Sequence, residues 1–294
     1  MGAFRGEYRA VLLEIRAAAA TDFERAFEVA SRQSRAAFGI SELSREQFEL
    51  AWASASADRF VTDGGYASLD ATQRIEIAAR DDDTNDALFA TLAERARERG
   101  FDRLHAVVAD GDAPFESLVR RAGFTHDGDV HRMWCRLDGD LPEPSWPGDV
   151  DVRTYTDADG LAVHSLLDDA YRSWDDTYTP RAHDDWLAWM TGHVEFDPAL
   201  WFLVERKGEL VACALNWRAH QARGWVKDLV VRDDVRRRGL AKALLHHTFR
   251  AYAERGVAHV GLKAEATNPT GAPQLYERFG FVTDQRFGNW VKVL

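Results

Sequence analysis

Apolar residues recur along this chain with two periods, one of helices and one of strands. From Ala241 to Tyr252 they fall at Ala241, Leu244, Leu245, Phe249 and Tyr252, the spacing of a single helix face. Directly before this helix, Trp225–Val231 is dense in Val and Leu and predicts a buried strand. Strands are also predicted at Arg59–Thr62, Tyr66–Leu69, Gln73–Ala79 and Leu104–Ala109, and again at Leu200–Glu205, Glu209–Trp217, Gly224–Val231 and His259–Ala264. Asp63-Gly64-Gly65 reads as a hairpin turn. Two long helices stop at glycines, Asp86–Arg99 before Gly100 and Ala241–Arg255 before Gly256.

These elements come twice in one order. Leu13–Arg16 leads to Thr21 with an acid three residues on, then to a helical pattern through Ala30. Val150–Arg153 leads to Thr156 with Asp159 three residues on, then to a helical pattern through Tyr171. A second helix follows in each series, Ser44–Trp52 and Ala182–Met190. Each series closes on a short helix and a Gly-Phe step, at Gly123-Phe124 and Gly280-Phe281, 157 residues apart (280 against 123). Between the series, Asp138–Asp149 carries Pro142, Pro144 and Pro147 and reads as a linker. The expectation is an α+β protein of two tandem domains, residues 1–139 and 150–294, joined at 140–149.

Composition narrows the function. A chain of 294 residues accommodates two ordinary domains, and 46% hydrophobic with 29% charged residues is a globular balance. No apolar run approaches the ~20 residues of a membrane span, and Met1–Ala10 has no apolar signal core. The expected location is therefore cytoplasmic, with no membrane partner. The net charge of −11 argues against a general nucleic-acid binder and is compatible with an amine substrate. Cys135 and Cys213 suggest neither a disulfide framework nor a metal motif. His164, His183 and His220 are scattered, and the adjacent His246 and His247 point to different faces of one helix, so no metal site is expected.

The chemistry concentrates in Gly224–Ala241. After the strand, Arg236-Arg237-Arg238-Gly239-Leu240-Ala241 opens a helix. A helix start presents unpaired N–H groups and partial positive charge, Gly239 leaves room against the backbone, and the arginines add forked donors. A strand, a basic glycine turn and a helix N-terminus make an anion site that a pyrophosphate fits.

Arg236-x-x-Gly239-x-Ala241 resembles the R/Q-x-x-G-x-G/A signature of the GNAT acetyltransferase superfamily. Asn268 through Phe281, with Leu275-Tyr276 and Gly280-Phe281, resembles its second signature, N-x-x-A-x-x-L-Y-x-x-x-G-F, with one residue more between Asn268 and Ala272. The resemblance covers roughly the C-terminal half. It implies two tandem GNAT domains, each a mixed, mostly antiparallel sheet flanked by helices, with a splayed parallel strand pair. The tandem plan resembles mycothiol synthase and other actinobacterial tandem GNAT proteins.

The two copies differ at these positions. Where the second has Arg236–Ala241, the first has Asp81-Asp82-Asp83-Thr84-Asn85-Asp86, which would repel a pyrophosphate. Val119 stands for Tyr276 and Gly111 for Asn268. The first copy is therefore expected to be a degenerate domain, a scaffold or substrate wall.

The resemblance implies acetyl-CoA as co-substrate. Pantetheine would lie on the backbone of Leu229, Val230 and Val231, residues that also suit plain core burial. The pyrophosphate would lie on Arg236, Arg237, Arg238, Gly239, Leu240 and Ala241, with Arg236 ranked first and Arg238 second as side-chain ligands. Asn268 matches the family's cofactor-side asparagine and equally suits a helix cap. Tyr276 matches the general acid, a phenol able to protonate a departing thiolate. The general base is open between Asp228, Glu265 and a water chain. Trp174–Tyr178 mixes aromatics and acids, as an amine pocket would and as a surface loop would.

The expected activity is N-acetylation of a small primary amine by direct transfer, in a monomer or homodimer. A cysteinyl amino-sugar and amine antibiotics are alternative acceptors. A non-catalytic acyl-CoA sensor is the alternative outside the enzymes.

Overall fold

The structure, a computed structural model, describes residues 13–38, 43–174, 178–220 and 223–294. The first half contributes β1 (Arg16–Ala17), α1 (Phe23–Phe38), α2 (Arg45–Ala53), β2 (Asp58–Thr62), β3 (Gly65–Leu69), β4 (Ile75–Ala79), α3 (Asp82–Glu98), β5 (Arg103–Ala109), α4 (Ala113–Arg121) and β6 (Thr125–Arg136). Residues 137–150 hold no helix or strand. The second half contributes β7 (Asp151–Thr154), α5 (Gly160–Arg172), α6 (His183–Thr191), β8 (Trp201–Arg206), β9 (Glu209–His220), β10 (Arg223–Val231), α7 (Leu240–Ala253), β11 (His259–Glu265), α8 (Ala272–Arg278) and β12 (Val282–Val293).

The strands form one sheet in the order β1-β2-β3-β4 and another in the order β5-β12-β6-β11-β10-β9-β8-β7. A parallel bridge between Arg74 and His105 joins the two. Adding or subtracting six from every label and reversing the list returns the same order, so the two halves are related by a pseudo-two-fold axis. The last strands are exchanged across that axis. β12 lies between β5 and β6 of the first half, and β6 lies against β11 of the second. The linear reading of two successive copies did not anticipate this exchange.

Local chemistry corrects several predicted boundaries. In the first half the strand is only Arg16–Ala17, paired with Val61 and Phe60, and the helix entry is Ala19–Asp22 rather than Thr21–Glu24. Asp22 accepts from the Ala19 N–H at 2.8 Å and pairs with Arg16 at 2.6 Å. In the second half Asp159 accepts from the Thr156 N–H at 2.8 Å and pairs with Arg153 at 2.7 Å. The same strand-to-helix clamp is thus built twice. The predicted helix Asp86–Arg99 starts earlier, at Asp82, because Asp81 caps it by accepting from Thr84 N–H at 2.8 Å.

Each half has a core on either face of the sheet. In the second half Val226, Leu244, Leu245, Phe249, Tyr252 and Tyr276 pack under α7 and α8, and Tyr155, Leu167, Met190, Trp201, Leu215 and Val230 pack under α5 and α6. Tyr252 pins α7 to the strands. Its hydroxyl donates to Trp217 O at 2.6 Å and accepts from Trp225 N–H at 3.0 Å. Gly224 is required beside it, since a Cβ there would meet the Tyr252 ring at 2.6 Å.

The exchange predicts that residues 150–294 expressed alone do not form a stable monomer. β11 would be a bare edge and β12 would lose both neighbours. Size-exclusion chromatography should show aggregates or an exchanged dimer; a monomer with cooperative thermal unfolding would contradict the account.

Candidate active site

The site begins with a register shift. β10 and β11 run parallel from Arg223↔His259 to Val226↔Leu262, and their pairing stops there. On the other side of β10, Val226 pairs with Asn216 and Asp228 with Leu215, so Lys227 is an extra residue. A bulge of this kind bends and twists its strand. It also inverts the alternation of side chains. Val226 joins the core under α7, whereas Val230 joins the core under α5 and α6. Beyond the bulge β10 leans on β9 alone, and its free backbone edge faces a cleft of about 1020 Å³.

One end of this cleft is the basic turn. Arg237 and Gly239 both adopt positive φ, 62° and 85°. A left-handed conformation favours glycine at 239, and no atom lies within 4 Å of where its Cβ would be. α7 then starts without a side-chain cap, so the N–H groups of Leu240, Ala241 and Lys242 have no partner within the helix. Arg236, Arg237, Lys242 and Arg278 line this end. Arg236 is partly engaged, donating from Nε to Val231 O at 3.1 Å and pairing with Asp233 at 2.6 Å. Arg237 has no ion pair among the described residues. Arg238, ranked second as a ligand, does not line the cleft; it pairs with Asp149 at 2.8 Å, inside the segment read as a linker. The first half differs at the matching place, where Asp81 caps α3 and Arg121 pairs with Asp86 at 3.0 Å.

At the splay the cleft brings together Asp228, Leu229, Val230, Val231, Glu265, Asn268 and Tyr276. Tyr276 is 7% exposed, and its hydroxyl makes no hydrogen bond among the described residues. Burial, then the charge of Asp228, pushes its phenol well above the ordinary value of 10. Asp228 is 5% exposed; Oδ1 accepts from the Tyr171 hydroxyl at 2.6 Å, and Oδ2 lies 3.4 Å from Lys227 Nζ. Glu265 is held from the exchanged strand, where Asn289 Nδ2 lies 3.1 Å from both carboxylate oxygens. Asn268 Oδ1 accepts from Thr270 N–H at 2.9 Å. That side chain folds the loop before α8, while Gly271 occupies the cap position.

Sequence reasoning missed Tyr171, Lys227, Lys263 and Val130, all of which line the cleft. Tyr171 follows Val163 and Leu167 at helical spacing and looks like core. Val130 reaches the site only through the strand exchange. Of the Trp174–Tyr178 stretch, Trp174 and Tyr178 line the cleft, and 175–177 lie outside the described residues. Among the described residues no cluster of side chains is arranged to hold a metal ion. His246 packs on Phe279, and His247 on Phe202 and Trp146. No helix of the described residues is long and apolar enough to cross a membrane.

A mixed sheet with parallel strands splayed over a basic helix start defines the GNAT class of fold. Solved structures agree. A GCN5-related N-acetyltransferase from Sphaerobacter thermophilus superposes with a TM-score of 0.70 at 24% identity, covering 96% of this chain and 95% of that one. A tandem GNAT protein from the clavulanic acid biosynthesis pathway gives 0.68 at 17% identity, covering 96% and 98%. Residues 161–281 match the profile of the Acetyltransferase (GNAT) family. A mycothiol acetyltransferase from Streptomyces coelicolor is 32% identical over 240 residues, 75% of this chain and 73% of the relative. One from Acidothermus cellulolyticus is 30% identical over 249 residues, 74% and 72%. The chain belongs to the GNAT acetyltransferase family and is an acyltransferase.

The turn makes a sharp distinction between adjacent arginines. Arg237→Ala is expected to weaken coenzyme A binding about tenfold, the loss of one charge-assisted contact, and Arg238→Ala less than about twofold. Calorimetry that finds the reverse order would refute the placement. A second expectation concerns pH. Because Tyr276 is raised, it keeps its proton up to pH 10 and beyond, so the tyrosinate absorbance gained below pH 10 should be the same in wild type and Tyr276→Phe.

Proposed function

We propose that the cleft binds acetyl-CoA along β10 and transfers its acetyl group directly to a small primary amine. The fit to the donor rests on three features. The uncapped start of α7 with Arg236 and Arg237 suits a pyrophosphate. The free edge of Leu229–Val231 suits the amides of pantetheine, and the open space at Gly239 lets phosphate approach the backbone. Lys242 and Arg278 add positive charge at the same end.

The observation that carries the reading is a buried carboxylate and a buried phenol sharing the splay. Asp228 is near enough to Tyr276 to help hold the phenol's proton. In this reading Asp228 takes the proton from the acceptor ammonium. The neutral nitrogen attacks the thioester carbonyl, and backbone N–H groups at the splay stabilise the oxyanion. The carbon–sulfur bond then breaks, the remaining extra proton on nitrogen passes to the departing sulfur to give the free thiol of coenzyme A and the neutral amide, and Tyr276 donates a hydrogen bond to that sulfur. A thiol of ordinary pKa ~8.5 is more acidic than this raised phenol, so the Tyr276 contribution is mainly that hydrogen bond. Glu265 is placed second as a base because Asn289 already engages both of its carboxylate oxygens.

The acceptor end is bounded by Tyr171, Trp174, Tyr178 and Lys227. The relatives named mycothiol acetyltransferase favour an amino-sugar type of acceptor, such as a cysteinyl amino-sugar. The first half then serves as a wall, with Val130 lining the cleft and acids rather than arginines at its own helix start.

The test is acetyl transfer to cysteinyl-glucosamine, glucosamine and cysteamine, followed by mass spectrometry of the product. Tyr276→Phe and Asp228→Asn should each lower kcat about a hundredfold, while acetyl-CoA affinity stays within about twofold. Wild-type kcat in both variants would refute the assignment, and absence of transfer together with absence of acetyl-CoA binding would refute the function.

A further inference from the structure

Asp228 does not stand free in the cleft. Tyr171 reaches it from α5 with a 2.6 Å hydrogen bond to Oδ1, and Lys227 Nζ lies 3.4 Å from Oδ2. Tyr171 is in turn braced. The Tyr178 ring stacks on it, centroids 5.2 Å apart and 23° between planes. The Tyr178 hydroxyl donates at 2.7 Å to Asp168, which lies one turn before Tyr171 on α5. Helix, phenol and carboxylate therefore form one braced unit spanning from α5 to the bulged strand.

We infer that Tyr171 is a positioning residue for acetyl transfer, holding Asp228 Oδ1 so that Oδ2 is the oxygen that receives the amine proton. This rests on the reading of Asp228 as the proton acceptor. The physical case is conformational. The last torsion of an aspartate is broad and roughly two-fold, so a carboxylate with a single neighbour does not keep one plane. A strong donor on one oxygen fixes the plane and leaves the other oxygen aimed. Small errors in such aim cost large factors in rate. The bulge at Lys227 makes the contact available, since it carries Val230 to the face covered by α5 while Val226 stays under α7. The groups facing Asp228 are Tyr171 and Tyr178 from the α5 side, Lys227 beside it, Cys213 from β9 and Tyr276 from α8. Of these, Tyr171 donates a short hydrogen bond to it.

The experiment is a double-mutant cycle on the full chain with cysteinyl-glucosamine as acceptor, alongside calorimetry with acetyl-CoA. Tyr171→Phe keeps the ring that stacks on Tyr178 and removes only the hydroxyl. It should lower kcat about tenfold or more, leave KM and Kd for acetyl-CoA within about twofold, and have almost no further effect in the Asp228→Asn background. If Tyr171→Phe does not fold, Tyr178→Phe, which removes the hydroxyl that ties the stacked ring to Asp168, takes its place in the cycle and should likewise lower kcat only while Asp228 is present. Equal losses from Tyr171→Phe with and without Asp228 would show a merely structural role and overturn the inference. So would an unchanged kcat in Tyr171→Phe beside a crippled Asp228→Asn. If Asp228→Asn itself keeps wild-type kcat, the reading of Asp228 fails first and the inference falls with it.

Discussion

One extra residue in one strand organises the site. Without Lys227 as a bulge, β10 and β11 would remain paired past Val226 and Leu262, and the sheet would be continuous where the cleft now lies. The bulge ends the parallel pairing, frees the backbone edge of Leu229–Val231 and turns Asp228 to meet Tyr171. Everything that holds β10 in place supports this break. Tyr252 locks Trp225 to α7 just before it, and the packing of Tyr252 against Gly224 leaves no room for a side chain there. α7 is thereby aimed so that its uncapped start closes the other end of the cleft.

The two halves share this architecture and diverge in charge. Both enter their first helix through the same arginine–aspartate clamp, and the sheet order maps onto itself under the pseudo-two-fold. Their long helices begin oppositely. α3 satisfies its own N-terminus with Asp81, and α7 leaves its N-terminus open among cations. The exchanged strands tie the halves together chemically as well as mechanically. Asn289 on β12 holds Glu265, and Val130 on β6 lines the cleft. A helix start alone does not make a binding site; what is left unpaired around it decides whether an anion can come.

Much of this was legible in the sequence because it is local. The order of helices and strands, the basic turn and the Tyr276 segment depend on residues near one another in the chain. The cleft does gather Asp228, Glu265, Asn268, Tyr276 and the Leu229–Val231 edge. What was not legible depends on contacts between distant segments. The strand exchange leaves no local signature, and β6 and β12, the strands that follow the two Gly-Phe steps, are absent from the strands the sequence pattern predicts. Arg238 ranks above Arg237 as a phosphate ligand on sequence alone, yet Asp149, 89 residues away, claims it. Tyr171 sits on an apolar helix stripe and shows its hydroxyl's role only once Asp228 stands opposite. The start of α3 was misplaced for a local reason, since the acidic run was weighed as charge and not as a cap.

The central claim is that the donor lies in the β10–β11 splay and only there. Hydrogen–deuterium exchange of the full chain with and without acetyl-CoA tests it most directly. The account predicts new protection in residues 227–231 and 240–242, and none in residues 75–86 of the first half. Protection in 75–86, or unchanged exchange in 227–231 at saturating acetyl-CoA, would contradict it.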